Sequence, residues 1–476
     1  MTQIRCPLDD IARIAPHQPA WLEDDTAHMF PAMHVAARGI ARMLKDELSV
    51  QPGDRIVIAA PPQWRWLPLL FGVFRVGAVA CPLNIRRPPG TLREQAESLS
   101  PAVQVIADNG EPLLDGVPCL RISALCDATL LGGADAAPLL LDMHRPATCL
   151  FTTGSTGTPK AVVHSLEAHY YSALGANRQL PMNQHHRWML TLPLYHVGGL
   201  GILFRCLLAG AAVVSPEPGI DPVETMLRQR VTHLSLVPTQ LIRLLRHEKC
   251  GELARGLQRV LLGGAPISAE LAERALDAGF PLHRTYGMTE TASQVTTVSR
   301  HAPKAVRVQT DGDVMAHREV NISDAGEILV RGHVLPLGVW TPSGIQPVTD
   351  GDGWLHTGDL GHFDGGNLVV TGRRDLQFIS GGENIQPEEI ERLLPEITGA
   401  TVAVVTPLPD AEFGFRPAAW LDLPAEARTP EVWNTALRKF LPGYMVPAAY
   451  YTLPENAGLK PDRRLLSEQL CGRGTA

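Results

Sequence analysis

The first hundred residues alternate between two spacings of apolar residues. A spacing of three or four predicts an amphipathic helix over 33–48, because it gives the helix one apolar face. The residues of that face are Met33, Ala37, Ile40, Leu44 and Leu48. Runs of strand length, apolar except for Arg55 and Gln104, follow at 55–60, 78–81 and 103–107, separated by helical patterns at 64–76 and 91–99. This alternation predicts a parallel sheet with helices on its faces.

The same alternation returns in the middle of the chain. Short strands are predicted at 213–214, 234–236 and 260–262, and helices at 222–230, 239–247 and 268–278. We therefore expect a second α/β unit over about 185–285. Residues 108–145 carry Asn-Gly and Gly-Gly pairs with little periodicity, so we interpret them as a connection.

The last part of the chain changes character twice. Residues 300–371 are Gly-rich with short β-prone runs, which predicts a small β subdomain. After Asp375 the pattern predicts a helix at 387–394, a strand at 401–405 and a helix at 430–440. The expected fold is α/β, with two α/β units and the β subdomain in a large N-terminal domain (1–374) and a small α+β C-terminal domain (375–476).

Composition narrows the function classes. A formal charge of -7 without any Lys/Arg-rich run argues against a nucleic-acid partner. The longest apolar stretches, 66–83 and 190–214, are broken by Arg75 and by His196 and Arg205, so no membrane span is predicted. The eight cysteines lack C-x-x-C or zinc-like spacing, and the N-terminus lacks a signal-peptide core. We expect free thiols in the cytoplasm; a homo-oligomer remains open.

A polar stretch, Phe151–Lys160 (FTTGSTGTPK), lies between two apolar runs. Its backbone amides and hydroxyl groups can converge on an anion, and Lys160 adds positive charge. It is not a Walker loop, because it lacks the Gly-Lys-Ser/Thr ending and Pro159 directly precedes the lysine. The stretch indicates a phosphate cradle, with an ordinary polar hairpin loop as the alternative.

Further motifs follow this loop in a fixed order. They are YGMTE at 286–290, TGD at 357–359, GRRD at 372–375 and Lys460. With this order and these intervals the chain resembles the adenylate-forming acyl-CoA synthetase superfamily. Within it, the chain is most similar to the o-succinylbenzoate-CoA ligases of menaquinone biosynthesis. That similarity is carried by LPLYH at 192–196, LVPTQ at 236–240, LLGGA at 261–265 and SGGENIQPEE at 380–389.

The resemblance implies an AMP-forming ligase that uses ATP, Mg²⁺ and CoA. An acid is first activated as an acyl-adenylate and then transferred to CoA. The residues assigned to ATP or AMP are Thr152, Thr153, Ser155, Thr156, Lys160, Gly263, Gly264, Ala265, Tyr286, Gly287, Met288, Thr289, Asp359 and Arg373. Glu290 would hold Mg²⁺, Thr289 would reach the α-phosphate, and Lys460 would reach the carboxylate and α-phosphate. Asp375 would be the hinge of a mobile C-terminal domain.

The residues themselves add expectations for individual side chains. Asp359 follows Thr357-Gly358, which we interpret as a turn that exposes both carboxylate oxygens to ribose hydroxyls. His196 lies among apolar residues, where a satisfied core histidine is the ordinary interpretation; the resemblance places it at the acyl pocket. Arg205 lies in an apolar helical run and needs an anion, either a core carboxylate or one on the substrate.

The acyl substrate stays open between several classes. Gly198 and Leu200 stand where the o-succinylbenzoate ligases have Ser and Gln. o-Succinylbenzoate is the preferred acid, and another aryl or fatty acid is the alternative. A stand-alone adenylation enzyme that loads a carrier-protein thiol is a further class. A non-catalytic nucleotide binder is disfavoured by the presence of all four charged motif residues, Lys160, Glu290, Asp359 and Lys460.

Overall fold

The computed structural model describes residues 2–125, 139–152, 159–381, 383–410, 412–424, 429–454 and 461–473. The helices are α1 Pro7–Ile14, α2 Phe30–Arg42, α3 Trp66–Val76, α4 Pro89–Leu99, α5 Leu166–Gln179, α6 Val197–Ala209, α7 Pro222–Arg228, α8 Pro238–Arg246, α9 Cys250–Gly256, α10 Ala269–Asp277, α11 Lys304–Gln309, α12 Pro387–Thr398, α13 Pro430–Leu437 and α14 Arg463–Arg473. The strands are β1 Gln3–Arg5, β2 Pro19–Glu23, β3 Thr26–Met29, β4 Arg55–Ala59, β5 Val79–Pro82, β6 Val103–Ile106, β7 Cys119–Arg121, β8 Leu140–Asp142, β9 Pro146–Thr152, β10 Lys160–Ser165, β11 Arg187–Met189, β12 Ala212–Val214, β13 His233–Leu236, β14 Arg259–Leu262, β15 Leu282–Met288, β16 Ser293–Thr297, β17 Asp313–Val314, β18 Arg318–Ile322, β19 Glu327–Gly332, β20 Gly338–Thr341, β21 Gly344–Gln346, β22 Leu355–Asp364, β23 Asn367–Arg373, β24 Phe378–Ser380, β25 Glu383–Ile385, β26 Ala403–Asp410, β27 Gly414–Leu421 and β28 Ala449–Thr452.

Two large sheets form the N-terminal part. The first has the order β21-β20-β10-β9-β5-β4-β6-β7, and its β5-β4-β6-β7 part is parallel as the alternating pattern predicts. The second has the order β17-β16-β15-β14-β13-β11-β12-β2-β3, with β11 to β15 and β12-β2 parallel. Helix α3 is buried along most of its length against the first sheet, where continuous apolar sequence leaves no polar face.

A four-stranded sheet, β18-β19-β22-β23, forms the small β subdomain. A small core joins its Ile328, Val330 and Leu368 to Val295 of β16 in the second sheet. Strand β22 pairs antiparallel with β23, which brings Asp359 opposite Arg373. Two sequence motifs that lie apart in the chain thus meet across one strand pair.

The C-terminal segment has its own apolar cores. Strands β26, β27 and β28 form a three-stranded sheet that packs against α12, α13 and α14. One core gathers Ile385, Ile390, Leu394, Val405 and Leu437, and the other gathers Val404, Trp420, Leu466 and Leu470. The buried members of these two cores all come from this segment, as expected for a unit that folds around its own interior.

Several pairings differ from the sequence-based expectation. Residues 108–145, interpreted as a connection, contribute β7 to the first sheet and β8 to a pair with β1. Strands β20 and β21 lie in the expected β subdomain but join the first sheet. Strand β2 joins the second sheet parallel to β12 and pairs antiparallel with β3, and β9 pairs antiparallel with β10 in the first sheet, so both large sheets are mixed. Short edge strands gain their stability from distant partners and leave little local periodicity.

Among the described residues, no helix combines the length and the apolar character needed to cross a membrane.

Candidate functional site

Both ends of the phosphate loop are fixed on the first sheet. Strands β9 and β10 pair antiparallel, and Thr152 lies opposite Lys160. The Thr152 hydroxyl donates to the Lys160 carbonyl at 3.5 Å. Thr153, Ser155 and Thr156 lie outside the described residues. The strand pair therefore places Thr152 and Lys160 at the two ends of the loop, with Lys160 exposed.

The YGMTE motif forms the end of β15 and the tight turn that follows it. Thr289–Thr291 make one 3-10 turn, and the Met288 amide donates to Thr291 Oγ1 at 3.1 Å. A Cβ at Gly287 would lie 1.7 Å from the carbonyl oxygen of Ser293, so only glycine fits. The turn directs Thr289 and Glu290 out of the second sheet.

The charges of the other motifs influence the pKa of Glu290 in this turn. Burial raises the pKa of Glu290, the charges of Arg373 and Lys160 lower it, and Asp359 raises it again. These influences require that the four side chains lie in one neighbourhood. Lys160, the YGMTE turn and the β22–β23 pair therefore lie at one site.

The predicted exposed turn at Asp359 is wrong. Asp359 lies inside strand β22 and is only 7% exposed. Its Oδ2 accepts from the Tyr286 hydroxyl at 2.6 Å, and its Oδ1 accepts from Arg373 Nη1 at 3.0 Å. Burial and the Asp359 charge hold the pKa of Tyr286 well above its usual range, so the phenol stays a donor. Strand β22 runs through TGD with a bulge opposite β19, where Gly358 has φ +72°, and its pairing with β23 begins at Asp359, opposite Arg373.

Arg373 joins the site to the start of the C-terminal segment. Its Nε and Nη2 donate to the two oxygens of Asp375 at 2.8 and 3.0 Å, while Nη1 holds Asp359. The hydrogen bond to Asp375, followed by the Asp359 charge, raises the pKa of Arg373 above its usual range, against the opposing effect of burial. One guanidinium therefore contacts both the buried carboxylate and the expected hinge residue.

The glycine pair after β14 lies at the edge where three parallel strands end. The Gly263 amide donates to the Leu236 carbonyl at 3.1 Å, and a Cβ on Gly263 would lie 2.6 Å from the carbonyl oxygen of Thr285. Gly264 has φ +77°, which also favours glycine. Gly264 and Ala265 are exposed, so a flat ring can approach their backbone.

His196 and Arg205 occupy opposite environments on α6. His196 is the residue before the helix, is exposed, and its ring lies 4.8 Å from that of Tyr195, so the core interpretation is wrong. Arg205 is 2% exposed, donates to Ser293 Oγ at 3.1 Å and lies over the Trp188 ring at 5.5 Å. Among the described residues no carboxylate forms an ion pair with it. The core-carboxylate interpretation is therefore excluded for that part of the chain.

Residues 8–340 match the profile of the AMP-binding enzymes. The chain belongs to the AMP-binding enzyme family. The profile covers the phosphate loop, the glycine pair and the YGMTE turn. Family membership confirms the superfamily resemblance read from the order of the motifs.

Individual members of this family are similar over most of the chain. A 2-succinylbenzoate–CoA ligase of Haemophilus influenzae is 40% identical over 337 residues, 70% of this chain and 72% of the relative. The o-succinylbenzoate CoA synthetase of Bacillus subtilis, in complex with its acyl-adenylate intermediate, has 28% identity and a TM-score of 0.86, with 98% of each chain covered. The same enzyme in complex with ATP and magnesium ion has 28% identity and a TM-score of 0.84, with 98% of this chain and 100% of that chain covered.

The family motifs did not reveal every residue at the site. Sequence reasoning missed His164, Ser293 and Trp188, which contact the YGMTE turn or Arg205 through the fold. No local pattern marks them, because each contacts its partner across different strands and helices. Lys460 lies outside the described residues. The helix after it, α14, is fixed by Arg463, which donates to Glu391 Oε2 at 3.0 Å.

Proposed function

We propose that this protein is a 2-succinylbenzoate–CoA ligase. In the first step a carboxylate oxygen of the acid attacks the α-phosphorus of ATP, the bond to pyrophosphate breaks, and an acyl-adenylate forms. In the second step the CoA thiolate attacks the acyl carbon, the acyl–oxygen bond breaks, and AMP leaves. The similarity to the Haemophilus ligase and to the adenylate-bound Bacillus enzyme supports this reaction.

The reaction uses ATP, Mg²⁺ and CoA. Protein sites for Mg²⁺ with nucleotides commonly supply one or two carboxylates and leave the other positions to phosphates and water. Glu290 fits this pattern, because burial raises the pKa of its carboxyl group and a bound cation would favour the ionised form. When bound, Mg²⁺ neutralises charge on the phosphates. Among the described residues, no cluster of three His, Cys, Asp or Glu offers a larger site.

We assign the ribose to Asp359 and Arg373 and the adenine to the backbone of Gly263, Gly264 and Ala265. Tyr286 keeps Asp359 oriented by its hydrogen bond of 2.6 Å. Arg373 can donate to a ribose oxygen without leaving the site, since it already contacts Asp359. The proposal predicts that AMP competes with ATP for this pocket.

We assign the phosphates to the loop from Thr152 to Lys160, with Thr153, Ser155 and Thr156 between them. Thr289 is assigned to the α-phosphate, and His196, exposed at the start of α6, to the acyl side. Lys460 is proposed to contact the acid carboxylate and the α-phosphate. Its positive charge would offset the repulsion between these two anions as they approach.

The buried guanidinium of Arg205 is the observation that favours an acid with a second carboxylate. Burial lowers the pKa of Arg205 to about 10, because the site disfavours its charge. A second buried guanidinium, Arg318, lies nearby, and burial and Arg205 lower its pKa to about 9. Among the described residues neither arginine forms an ion pair with a carboxylate. A carboxylate on the ring of 2-succinylbenzoate would compensate this excess of positive charge.

Neutral contacts hold the two arginines in place but do not neutralise them. Arg205 contacts Ser293 Oγ, and its Nε is buried without a hydrogen-bond partner in the described structure. Arg318 donates to backbone carbonyls, among them Ala316 at 3.1 Å and Tyr171 at 3.4 Å. Arg318 is therefore committed to the backbone, and Arg205 retains a donor for a ligand. We assign Arg205 to the ring carboxylate.

A pyrophosphate-release assay over a set of acids tests the function. The acids are 2-succinylbenzoate, 4-oxo-4-phenylbutanoate, which lacks the ring carboxylate, and hexanoate, each with and without CoA. We expect the highest kcat/KM with 2-succinylbenzoate, and thioester formation when CoA is present. A preference for either monocarboxylate would contradict the substrate assignment. Adenylate formation without any transfer to CoA would favour a carrier-protein thiol as acceptor.

We further propose a domain boundary between 374 and 375, with Asp375 as the hinge of a mobile C-terminal domain. The separate apolar cores of the C-terminal segment support this boundary. Rotation about Asp375 would withdraw Lys460 after adenylation and admit CoA. We also propose a cytoplasmic location, which suits the buried free thiols Cys6, Cys81, Cys149 and Cys206.

A further inference from the structure

The turn that carries Thr289 and Glu290 is held by two side chains of neighbouring elements. The carbonyl oxygen of Thr289 lies 2.6 Å from Nε2 of His164, on strand β10. The carbonyl oxygen of Ala292 accepts from Ser172 Oγ, on helix α5, at 2.6 Å. Both acceptors are backbone atoms. The two contacts therefore fix the path of the turn itself.

The backbone of this turn needs such support. Ala292 and Ser293 have φ values of 47° and 101°, in the left-handed region that disfavours side chains. Thr291 Oγ1 adds contacts inside the turn, to the carbonyl oxygens of Met288 at 3.1 Å and Ser293 at 3.0 Å. A strained path of this kind persists only where the surrounding contacts determine it.

His164 is suited to be a permanent donor. Its side chain is fully buried, at 0% exposure, and burial lowers its pKa to about 4. The ring is therefore neutral at physiological pH and carries one N–H. A carbonyl oxygen only accepts, so that proton lies on Nε2, while Nδ1 has no hydrogen-bond partner in the described structure. The single N–H of the ring is committed to Thr289.

We propose that His164 is a positioning residue for the adenylation step. Its Nε2–H sets the distance between strand β10, which begins at Lys160, and the turn that presents Thr289 and Glu290. The inference rests on the proposed function, in which these three residues act on ATP. His164 itself does not touch the nucleotide; it fixes one phosphate-binding motif relative to another.

The neighbouring His169 provides a matched control. It is 2% exposed, its ring lies 5.2 Å from that of His164, and it stacks on Phe204 at 4.9 Å. Its Nε2 contacts Thr148 Oγ1 at 2.7 Å, within the strand and helix that carry the two residues. His169 is thus a similarly buried histidine whose hydrogen bond goes to Thr148 and not to the turn. A loss of activity that follows from disturbed core packing alone would appear on replacement of either histidine.

Side chains of different length at position 164 distinguish the effect of the hydrogen bond from the effect of core packing. The amide nitrogen of glutamine is as many bonds from Cβ as Nε2 of histidine, whereas that of asparagine is one bond nearer. The experiment compares the parent with His164→Gln, His164→Asn, His164→Leu and His169→Leu. It measures kcat and KM for MgATP in acid-dependent pyrophosphate release, the MgATP dissociation constant by calorimetry, and Tm.

We expect His164→Asn and His164→Leu to lower kcat by about 10- to 100-fold, as misplacement of a reacting group does. His164→Gln should stay within about fivefold of the parent, and His169→Leu within about threefold even where Tm falls. Equal kcat for the Gln and Asn variants, or equal loss in His169→Leu and His164→Leu, would overturn the proposal.

A parent enzyme that releases no pyrophosphate with 2-succinylbenzoate would contradict the proposed function instead. The MgATP dissociation constants need no acid and still decide the role of His164. In that case the Asn variant must bind MgATP about tenfold more weakly than the Gln variant; equal affinities would overturn the positioning role.

Discussion

Arg205 and Arg318 bring two positive charges into an apolar interior from different elements, a helix and a strand. Burial lowers the pKa of both, to about 10 and about 9, which means that each site would be more favourable with an anion beside it. Gly201 leaves room for the Arg205 guanidinium, because a Cβ at position 201 would lie only 3.0 Å from Arg205 Nη2. At the residue scale, we therefore propose that substrate choice depends on a charge that the described carboxylates leave uncompensated.

Replacing Arg205 with leucine should reveal this dependence. A charge-assisted contact with the ring carboxylate contributes about 1.5–3 kcal/mol. Arg205→Leu should accordingly lower kcat/KM for 2-succinylbenzoate by about 10- to 150-fold. The analogue 4-oxo-4-phenylbutanoate should be poor with the parent and lose little more in the variant. An equal loss for both acids would indicate a damaged core and remove Arg205 from substrate recognition.

Glu290 has the opposite electrostatic problem, since burial raises the pKa of its carboxyl group above 4.5. The folded state then holds the proton more tightly than the unfolded state, so stability falls as pH rises from the ordinary value through the raised one. Glu290→Gln removes this pH-dependent loss of folding stability. We expect the variant to have a higher Tm than the parent at pH 7–8, and this difference in Tm should shrink as the pH falls to about 4.5. Addition of MgATP should raise the Tm of the variant less than that of the parent.

Thermal unfolding between pH 4 and pH 8, with and without MgATP, checks this prediction. Glu111→Gln, at an exposed carboxylate, serves as the control and should leave Tm unchanged. A Tm for Glu290→Gln below that of the parent at pH 8 would contradict the argument.

At the scale of elements, the tight turn after β15 depends on close approach of two backbone segments. Gly287 pairs with Gln294 across β15 and β16, and its backbone lies so close to the Ser293 carbonyl that no side chain fits at position 287. The register of the two strands shifts between Tyr286 and Gly287, which turns the following Thr289 and Glu290 toward the site. One strand pair thus sets the positions of Thr289 and Glu290, to which we assign roles in adenylation.

Gly287→Ala should therefore abolish pyrophosphate release and destabilise the protein, because the backbone must move to accept a Cβ. A matched substitution is available on helix α9, where a Cβ at Gly251 meets no atom within 4 Å. Gly251→Ala should keep full activity and raise Tm slightly, since alanine favours the helix. Wild-type activity in Gly287→Ala would contradict the described turn.

Sequence periodicity predicts the elements whose stability is local and misses those whose partners are distant. The β4–α3–β5 unit and helices α8 and α10 have long apolar faces or runs, and their predicted bounds agree with the structure to within a few residues. Strands β20 and β21 are short and find their partners in the first sheet, far away in sequence. Asp359 was placed in a turn because glycine precedes it, whereas strand pairing decides its conformation.

The candidate site follows the same division. Motif order predicts that Lys160, Glu290 and Asp359 act together, and they influence one another's charge in the fold. The residues that hold them, such as His164 and Tyr286, depend on contacts between strands of different sheets. A single sequence offers no signal for such contacts, because each is made by one ordinary side chain.

At the scale of the whole molecule, polar contacts connect the C-terminal segment to the rest. Arg392 donates to the carbonyl of Val370 at 2.7 Å, and Ser268 Oγ donates to Glu396 at 2.9 Å. Gln386 Nε2 donates to the carbonyl of Arg373 at 3.0 Å. An interface rich in hydrogen bonds can exchange them for water when the bodies reorient, whereas a large apolar interface resists such motion.

Lys460→Ala tests whether Lys460 serves the first half-reaction alone. The expected loss is about 10²- to 10³-fold in adenylation, the usual effect of removing one preorganised charge donor. Conversion of supplied acyl-adenylate to the thioester should be nearly unchanged. Lys439→Ala, at an exposed lysine of the same segment, is the control and should affect neither step. Equal loss in both half-reactions would refute the assignment of Lys460.

Arg373 donates one hydrogen bond to Asp359, which we assign to the ribose, and two to Asp375, the proposed hinge. Whatever draws the guanidinium toward Asp359 weakens its hold on Asp375, and the reverse is equally true. Thermodynamic reciprocity then applies: if bound nucleotide favours one orientation of the C-terminal segment by some factor, that orientation favours bound nucleotide by the same factor. On this account, release of AMP and return of the segment to its starting orientation are coupled equilibria, and each makes the other more favourable.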